Sequence, residues 1–465
     1  MSVVTSAVLI TPGCTNKSAE GLIILTQVRS TSNPDYISGD SWRYIEQTTL
    51  SSFDPSDPKK NPLLLTGEFY SACSPKISYD GKSMLFTAQA KQGEPWQIWE
   101  MNLLDSKVTQ IISTEFNCAD PNYLPGKRIV FSGYHKNDSL KAGHSLFTCN
   151  MDGGDLKRIT FNPHTYFAAS ILKDGRIVAI SRQVYPDQKE ASFMVMRPDG
   201  TKSELFYPGI EGNELFSNAC ETNSGQIVFI ESGKGSPGRG NIVSIRYNRP
   251  LNSIVELSSG DGGDFRSVFV LKSGQLLVTC RHDDNEKYSL FEFDPVNMKL
   301  GSQLYSSSEN DIIEAVEVTV HEKPKNLPSE VDPGVKTGLL LCQDINVTGM
   351  KSPEPEYSSH AADRIEIIGI DSSLGIVQVE KDGSFYLRVS ADMPFRLRTM
   401  DSAGRTVNGP GSWYWIRPNE RRGCVGCHED QEMVPANRYA SAVSKQPVAV
   451  PVHLTGIKEK EVELE

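Results

Sequence analysis

One stretch dominates the fold prediction: PKISYDGKSMLFT, residues 75–87. A short apolar run leads into the dipeptide Asp80-Gly81, and a second apolar run follows directly. A dipeptide of this kind between two apolar runs is typical of a tight turn that joins two strands. The stretch therefore predicts a pair of antiparallel strands.

The same arrangement recurs along the first two-thirds of the chain. Each unit has a turn glycine before an apolar strand-like run, at Gly81, Gly126, Gly175, Gly225 and Gly274, with spacings of 45, 49, 50 and 49 residues. Each unit then continues with a second alternating run, such as WQIWEM at residues 96–101. A regular period marks a repeat architecture, and several short strands per unit favour β-propeller blades over helical repeats.

The two ends of the repeat region complete each other. Residues 21–50 fit the same frame but lack the strand that should precede Gly21. The run IIEAVEVTV at residues 312–320 resembles that missing strand. We therefore predict a six-bladed propeller over residues 21–320, closed by strands from both ends, with seven blades as the alternative. Closure would remove the exposed edge that an open sheet carries.

A second, smaller β domain is predicted after the propeller. Residues 321–334 are rich in proline and polar residues, which is typical of a linker. Strand-like runs follow at residues 338–342, 364–368 and 384–389. We predict an all-β chain whose residues 335–455 form a small β-sandwich-like domain, with a short tail over residues 456–465.

The motif CVGCH, residues 424–428, lies near the end of the second domain. It matches C-x-x-C-H, the attachment signature of a c-type haem. Two thiols at this spacing can each form a thioether with a haem vinyl group, and the next histidine can ligate the iron. We predict Cys424 and Cys427 as the covalent attachment points of one haem c, and His428 as its axial ligand.

Two questions about the motif stay open at this stage. A zinc ion bound by His428 and a distant cysteine is the alternative metal, although zinc sites usually draw on a second nearby pair of ligands. The sixth iron ligand would decide between electron transfer and the binding of small molecules. The candidates for that position are Met350, His360, Met393, Met433 and His453.

Aromatic and basic residues precede the motif directly. The aromatic run at residues 413–415 is interpreted either as a wall of a haem pocket, which would exclude water and tune the potential, or as a packed edge strand. The arginines at positions 417, 421 and 422 are either partners of haem propionates or part of a solvated turn.

The first 20 residues suggest export. An apolar run at residues 3–10 leads to TPGC at residues 11–14, which resembles the end of a bacterial lipoprotein signal with Cys14 as the lipidated residue. We expect residues 1–20 to be a signal remnant and tether, and the protein to be periplasmic or on the cell surface. Bacteria attach c-type haem outside the cytoplasm, which favours the same location.

The composition limits which binding partners are expected. The formal net charge is −11 and the chain has no long block of lysine or arginine, so nucleic acid is not an expected partner. No apolar run approaches the ~20 residues of a membrane-spanning helix, so membrane contact is expected only through the lipid anchor. Six further cysteines would either form disulfides or serve as small buried side chains.

Several motifs in the second domain carry a family resemblance. They are VEKDGSF at 379–385, ADMP at 391–394, DSAG at 401–404 and RPNERRGCVGCHE at 417–429. This segment resembles the middle, haem-carrying domain of the hydrazine synthase alpha subunit and its relatives, and the repeats resemble the TolB-type propeller. The resemblance implies a propeller followed by a haem-bearing domain.

This sequence also differs from the family pattern at two points. In the family, a tyrosine shortly after the motif can replace the motif histidine on the iron, whereas here Glu432 and Met433 follow and the nearest tyrosine is Tyr439. The enzyme carries a second c-type haem in a further domain, which we expect this chain to lack. Hydrazine synthesis is therefore not the expected activity.

Two functions of different classes remain. The first is an exported haem c protein that transfers electrons or performs small-molecule redox chemistry, with a redox protein or a small molecule as partner. The alternative is a lipid-anchored propeller that acts as a binding or scaffold protein without redox turnover.

Overall fold

The first domain is a ring of four-stranded antiparallel sheets that form the blades of a β-propeller. The computed structural model describes residues 19–29, 43–135, 143–215, 217–233, 236–260, 262–347, 361–426 and 438–451. Within these residues six sheets belong to the first domain, in agreement with the six-bladed prediction.

The propeller strands follow one another blade by blade. In chain order they are β1 (Ile23–Arg29), β2 (Thr48–Phe53), β3 (Leu63–Leu64), β4 (Ser71–Ile77), β5 (Ser83–Gln89), β6 (Gln97–Asn102), β7 (Val108–Gln110), β8 (Cys118–Leu124), β9 (Arg128–His135), β10 (Gly143–Asn150), β11 (Lys157–Arg158), β12 (His164–Ile171), β13 (Ile177–Val184), β14 (Asp187–Met196), β15 (Glu204–Tyr207), β16 (Cys220–Glu221), β17 (Gln226–Gly233), β18 (Ser236–Arg246), β19 (Val255–Glu256), β20 (Asp264–Val270), β21 (Leu276–Arg281), β22 (Ser289–Asp294), β23 (Lys299–Tyr305) and β24 (Asn310–Glu317). Blades 2 to 6 are consecutive groups of four strands, starting at β4, β8, β12, β16 and β20.

Blade 1 is closed by strands from the two ends of the domain, as predicted. Its order is β24-β1-β2-β3, so the innermost strand is the last strand of the propeller. Strand β24 runs antiparallel to β1, with Ile24 opposite Val316. The edge that β1 would otherwise expose is therefore paired.

The turn glycines of the repeat adopt the backbone conformation that the sequence indicates. All five have φ between +69° and +91°, a region that side chains other than glycine rarely enter. Gly175 has a second constraint, because a Cβ atom there would collide with the backbone oxygen of Lys325 in the linker. The linker thus passes directly over the turn of blade 4.

The second domain is a sandwich of two four-stranded sheets, as predicted. Its elements are β25 (Thr337–Asp344), β26 (Arg364–Ile368), β27 (Ser373–Gln378), β28 (Phe385–Ser390), β29 (Arg396–Met400), β30 (Thr406–Asn408), β31 (Arg421–Gly426), the 3-10 helix Ser441–Ser444 and β32 (Val448–Ala449). One sheet has the order β31-β25-β28-β32 and the other β27-β26-β29-β30. Leu340, Ile365, Leu387 and Phe395 from the two sheets share one buried core. In the described part of the chain, no helix is long and apolar enough to cross a membrane.

The two domains are joined by a buried aromatic contact. Trp415 is 1% exposed and packs among Leu124, Ile159 and Tyr166, which belong to blades 3 and 4 of the propeller. Trp413 donates a hydrogen bond from Nε1 to the backbone oxygen of Tyr185 at 2.8 Å. The sandwich is therefore anchored in the core of the propeller.

Polar contacts surround this aromatic anchor. Arg417 Nε donates to the backbone oxygen of Asp199 at 2.9 Å, and its Nη1 lies 2.6 Å from the Asp392 carboxylate. Glu420 accepts a hydrogen bond from the backbone nitrogen of Lys202 at 2.8 Å. The carboxylate of Asp199 binds the linker through the backbone nitrogen of Glu330 at 2.7 Å. These bonds fix the orientation of the sandwich on blade 4.

The propeller cysteines behave as small core residues. Cys73, Cys118 and Cys149 are buried free thiols, and Cys220 is a half-buried one. Burial raises the pKa of the first three to about 12 and that of Cys220 to about 11. Such thiols stay protonated at neutral pH and are poor nucleophiles.

Candidate functional site

Cys424, the first cysteine of the motif, lies on the outer strand of a sandwich sheet. Strand β31 runs parallel to β25, with Cys424 opposite Cys342 and Gly426 opposite Asp344. The Cys424 side chain is half-buried and packs against the sandwich core. The neighbouring Gly423 points to the opposite face of the strand, where a Cβ atom would meet no described atom within 4 Å.

The rest of the predicted site falls outside the described residues. This applies to Cys427 and His428, to the lipidation candidate Cys14, and to the sixth-ligand candidates Met350, His360, Met433 and His453. The residues that flank the motif are described. Gly426 is in register with Asp344, and the Asp344 carboxylate lies 2.8 Å from Arg438 Nη2.

Arg438 also reaches two backbone oxygens, those of Gln343 at 3.0 Å and Asp382 at 3.1 Å. The chain therefore leaves the sheet at Gly426 and is held again at Arg438 beside the same end of β25. The motif segment begins and ends at one fixed point of the sandwich.

Asp382 fastens the segment that follows Arg438. Its carboxylate accepts hydrogen bonds from the backbone nitrogen of Ser441 at 2.8 Å and from the Ser384 hydroxyl at 2.7 Å. Burial acts to raise the pKa of Asp382, but the hydrogen bonds from Ser384 and Ser441 outweigh it and hold the pKa below its ordinary value. The charged form is thus the one that the fold stabilises.

Replacement of Asp382 by alanine is expected to lower the thermal unfolding midpoint at pH 7 by about 2–4 °C, because two acceptor sites are lost. Because folding lowers the pKa of Asp382, the wild-type protein is more stable than the variant at pH values above the ordinary carboxyl range. This difference in stability is lost as the pH falls through the lowered pKa. Melting curves of both proteins between pH 2 and pH 7 should therefore show a gap that narrows as the pH falls below the ordinary carboxyl range. A gap that stays constant over this range would contradict the assignment.

Met393, the sixth-ligand candidate that lies among the described residues, is far from Cys424. It is 51% exposed and lies just after Ala391, whose backbone nitrogen binds the oxygen of Lys336 before the start of β25. Cys424 is opposite Cys342, six residues further along the same path. At ~3.3 Å per residue, the two positions are about 20 Å apart.

The aromatic run before the motif forms a packed extended segment that pairs with the sandwich through a single β-bridge between Tyr414 and Phe395. Trp413 and Trp415 face the propeller. Tyr414 faces the sandwich, where its backbone pairs with Phe395 and its ring lies 6.4 Å from the Phe395 ring. Arg422 stacks over the Tyr414 ring at 5.6 Å. These contacts give the run an interdomain role, and they favour the packed strand over a haem pocket wall.

The described residues fit covalent attachment of a haem at one point. Cys424 presents a half-buried thiol on an edge strand, packed against the apolar core of the sandwich. In an extended strand, residues three apart point to opposite faces. Both motif thiols can reach one ring only if the chain turns after Gly426, close to where it is held at Asp344. Among the described residues, no group of three His, Cys, Asp or Glu side chains could hold a zinc ion.

Sequence reasoning missed a charged cluster in the propeller centre. Arg43 Nε donates to the Asp120 carboxylate at 2.7 Å. The same carboxylate accepts from the Ser74 hydroxyl at 3.1 Å and from the backbone nitrogen of Ala168 at 2.8 Å. Ser74, Asp120 and Ala168 come from blades 2, 3 and 4, and all have φ near +50° at irregularities of the innermost strands. The repeated dipeptides Ser74-Pro75 and Asp120-Pro121 were the available signal.

These features define the class of the molecule: an all-β protein with a six-bladed, TolB-like propeller and a sandwich that carries the motif. Residues 345–429 match the family described as the hydrazine synthase alpha subunit middle domain. The chain is 21% identical over 549 residues to hydrazine synthase subunit alpha of Kuenenia stuttgartiensis, with 89% of this chain and 67% of that protein covered. The chain is thus a relative of the hydrazine synthase alpha subunit, as the resemblance predicted.

One solved structure bears out the fold, and a second is reported for comparison. Kuenenia stuttgartiensis hydrazine synthase superposes with a TM-score of 0.78 at 20% identity, covering 91% of this chain and 71% of that chain. TolB from Acinetobacter baumannii gives a TM-score of 0.46 at 15% identity, over 64% of this chain and 66% of that one. The first match extends over both domains and shows that their folds are shared.

Proposed function

We propose that this protein is an exported haem c protein that transfers electrons or performs redox chemistry on a small molecule. The observation that carries the proposal is the position of the C-x-x-C-H motif. It lies inside the segment that matches the hydrazine synthase alpha middle domain, and its first cysteine lies on the edge strand of a sandwich sheet. A haem bound there would supply one-electron redox chemistry.

The chain's own residues have distinct parts in this proposal. Cys424 and Cys427 hold the group covalently, and His428 is the default iron ligand. The pairing of β31 with β25 fixes the Cys424 backbone, and the sandwich core excludes water from its inner side. The Asp344–Arg438 ion pair, with its 2.8 Å separation, closes the base of the motif segment. A redox protein or a small molecule is the expected partner.

The proposal also includes export of the protein from the cytoplasm. Lipidation at Cys14 would tether the protein to a bacterial membrane on its periplasmic or outer side. Hydrazine synthesis is the activity in the relative's name and is not proposed here, because the tyrosine that replaces the motif histidine in the family has no counterpart at Glu432 or Met433.

The experiment is expression of the full chain in a bacterium, with and without the cytochrome c maturation machinery. We expect haem that stays with the polypeptide through denaturation only when the machinery is present, and a lipid on Cys14 by mass spectrometry. A folded, exported protein without covalent haem would overturn the proposal and favour the scaffold alternative.

A further inference from the structure

Two cysteines are direct neighbours in the sheet that carries the haem motif. Strands β25 and β31 are parallel, and their register places Cys342 opposite Cys424. Neighbouring strands lie about 4.7–4.9 Å apart, and a disulfide requires a Cα separation of about 4.4–6.8 Å. The two backbones are therefore already close enough for a disulfide bond.

The two side chains also lie on the same face of the sheet. Successive side chains of a strand alternate between the two faces, and residues in register share a face. Cys342 is 2% exposed and belongs to the sandwich core, and Cys424 packs against that same core. Both sulfur atoms are therefore directed into one region of the sandwich.

The propeller offers no equivalent arrangement. Cys118 and Cys149 belong to one buried cluster, but they lie opposite Gly133 and Ile129, which are four residues apart on β9. Among the described propeller strands, no cysteine is in register with another cysteine. The direct opposition of two cysteines is thus confined, in the described strands, to the sheet of the haem motif.

We propose that Cys342 and Cys424 form a disulfide in the haem-free protein, and that this bond competes with haem attachment at Cys424. The disulfide itself does not depend on the proposed haem function. Its competition with haem rests on that function. Cys342, which lies outside the motif, is then a modification site that controls when the first motif thiol is available.

The different exposure of the two cysteines gives the bond a route to form, because Cys424 is half-buried and Cys342 is buried. The Cys424 thiolate attacks the disulfide of a thiol oxidant, which forms a mixed disulfide and releases one thiol. The Cys342 thiolate then attacks the Cys424 sulfur and releases the second thiol. Two protein thiols are oxidised, one disulfide of the oxidant is reduced, and its two thiols carry the two protons.

Haem attachment requires the thiol form of Cys424. A thioether forms when the S–H group adds across a haem vinyl group, and a sulfur atom in a disulfide has no S–H group to add. Reduction by two electrons and two protons restores both thiols. The periplasm, where we propose that the protein resides, is an oxidising compartment that favours disulfides.

The test is disulfide mapping of the full chain, produced without the cytochrome c maturation machinery so that no haem is attached. The reduced protein is oxidised with glutathione disulfide, denatured in N-ethylmaleimide and digested with trypsin. We expect one disulfide to join the peptides of residues 337–351 and 423–438. Alkylated Cys342 as the main product would overturn the proposal.

Single substitutions identify the partner of Cys342, because the second peptide contains both motif cysteines. The joined peptide should persist in Cys427→Ala and disappear in Cys424→Ala. The opposite result would assign the bond to Cys427 and overturn the proposal. Cys118→Ala, which removes a buried propeller thiol, is the control and should leave the joined peptide unchanged. If a variant misfolds, fragmentation of the joined wild-type peptide still identifies the bonded cysteine.

The competition is measured in cells that carry the maturation machinery, as haem per polypeptide with and without dithiothreitol in the medium. We expect the reductant to raise the haem content of the wild type severalfold and to leave Cys342→Ala, which is already fully loaded, unchanged. An equal response of both proteins would overturn the competition. A protein that forms the disulfide but never acquires haem would instead contradict the proposed function.

Discussion

A double substitution of Cys424 and Cys427 by alanine is expected to abolish covalent haem attachment completely. Both thioether bonds are lost, and His428 alone cannot retain the group through denaturation. The measurement is haem-dependent peroxidase staining after denaturing electrophoresis, with protein from cells that carry the maturation machinery. Each single substitution should leave one thioether and shift the absorption bands of the pyridine complex.

The matched control is Cys342→Ala. Cys342 lies opposite Cys424 on β25 and is 2% exposed, so it shares the sheet and the core but not the motif. We expect full haem content in this variant. Haem that survives denaturation in the double variant, or is lost only in Cys342→Ala, would show that the attachment site is wrongly assigned.

Replacement of Trp415 by alanine is expected to destabilise the protein by about 3–5 kcal/mol, the usual cost of removing a fully buried large aromatic side chain. The cavity would open between blades 3 and 4, where Trp415 packs against Tyr166 and Ile159. The contact joins two domains, so we also expect the sandwich and the propeller to unfold in separate steps. Differential scanning calorimetry measures both effects.

Trp413→Phe provides the comparison. It keeps an aromatic ring beneath Arg396 but removes the hydrogen bond from Nε1 to the Tyr185 oxygen and part of the buried indole. A loss of about 1–2 kcal/mol is expected, smaller than that of Trp415→Ala. Unfolding should remain a single transition. If Trp415→Ala unfolds at the wild-type temperature in one step, the aromatic contact does not hold the domains together.

The propeller was predictable from local signals. Turn glycines such as Gly81 and Gly175 need positive φ, and that requirement leaves a visible period in the sequence. The closing strand could also be predicted, because the apolar pattern of residues 312–320 matches the strand that is missing before Gly21 in the first unit. Local turn chemistry and alternation are properties of short segments, which is why they can be read without the fold.

The interdomain contact could not be predicted in the same way. An aromatic run beside a haem motif is compatible with a pocket wall or with a packed strand, and the neighbours that decide between them are far away in sequence. Trp415 is buried by Leu124 and Tyr166, which no local pattern connects to it. Cys424 likewise takes its position from Cys342 on a parallel neighbouring strand.

The centre of the propeller contains a cavity of about 90 Å³, lined by Asn218 and Lys76, which sequence reasoning missed for a related reason. Asn218 and Lys76 come from different blades and have no distinctive spacing in the chain. Their common location follows from the circular arrangement of the blades. The sequence predicts that blades exist, whereas the chemistry of the central cavity depends on which side chains the ring brings together.

The closure of blade 1 has a consequence for how the molecule is made. Strand β1 precedes the other five blades along the chain, whereas its inner partner β24 ends at Glu317, after all of them. During synthesis, one edge of β1 therefore stays unpaired until the other five blades and β24 have been made. Such edges are prone to pair with other chains, so the nascent protein depends on protection until the ring can close.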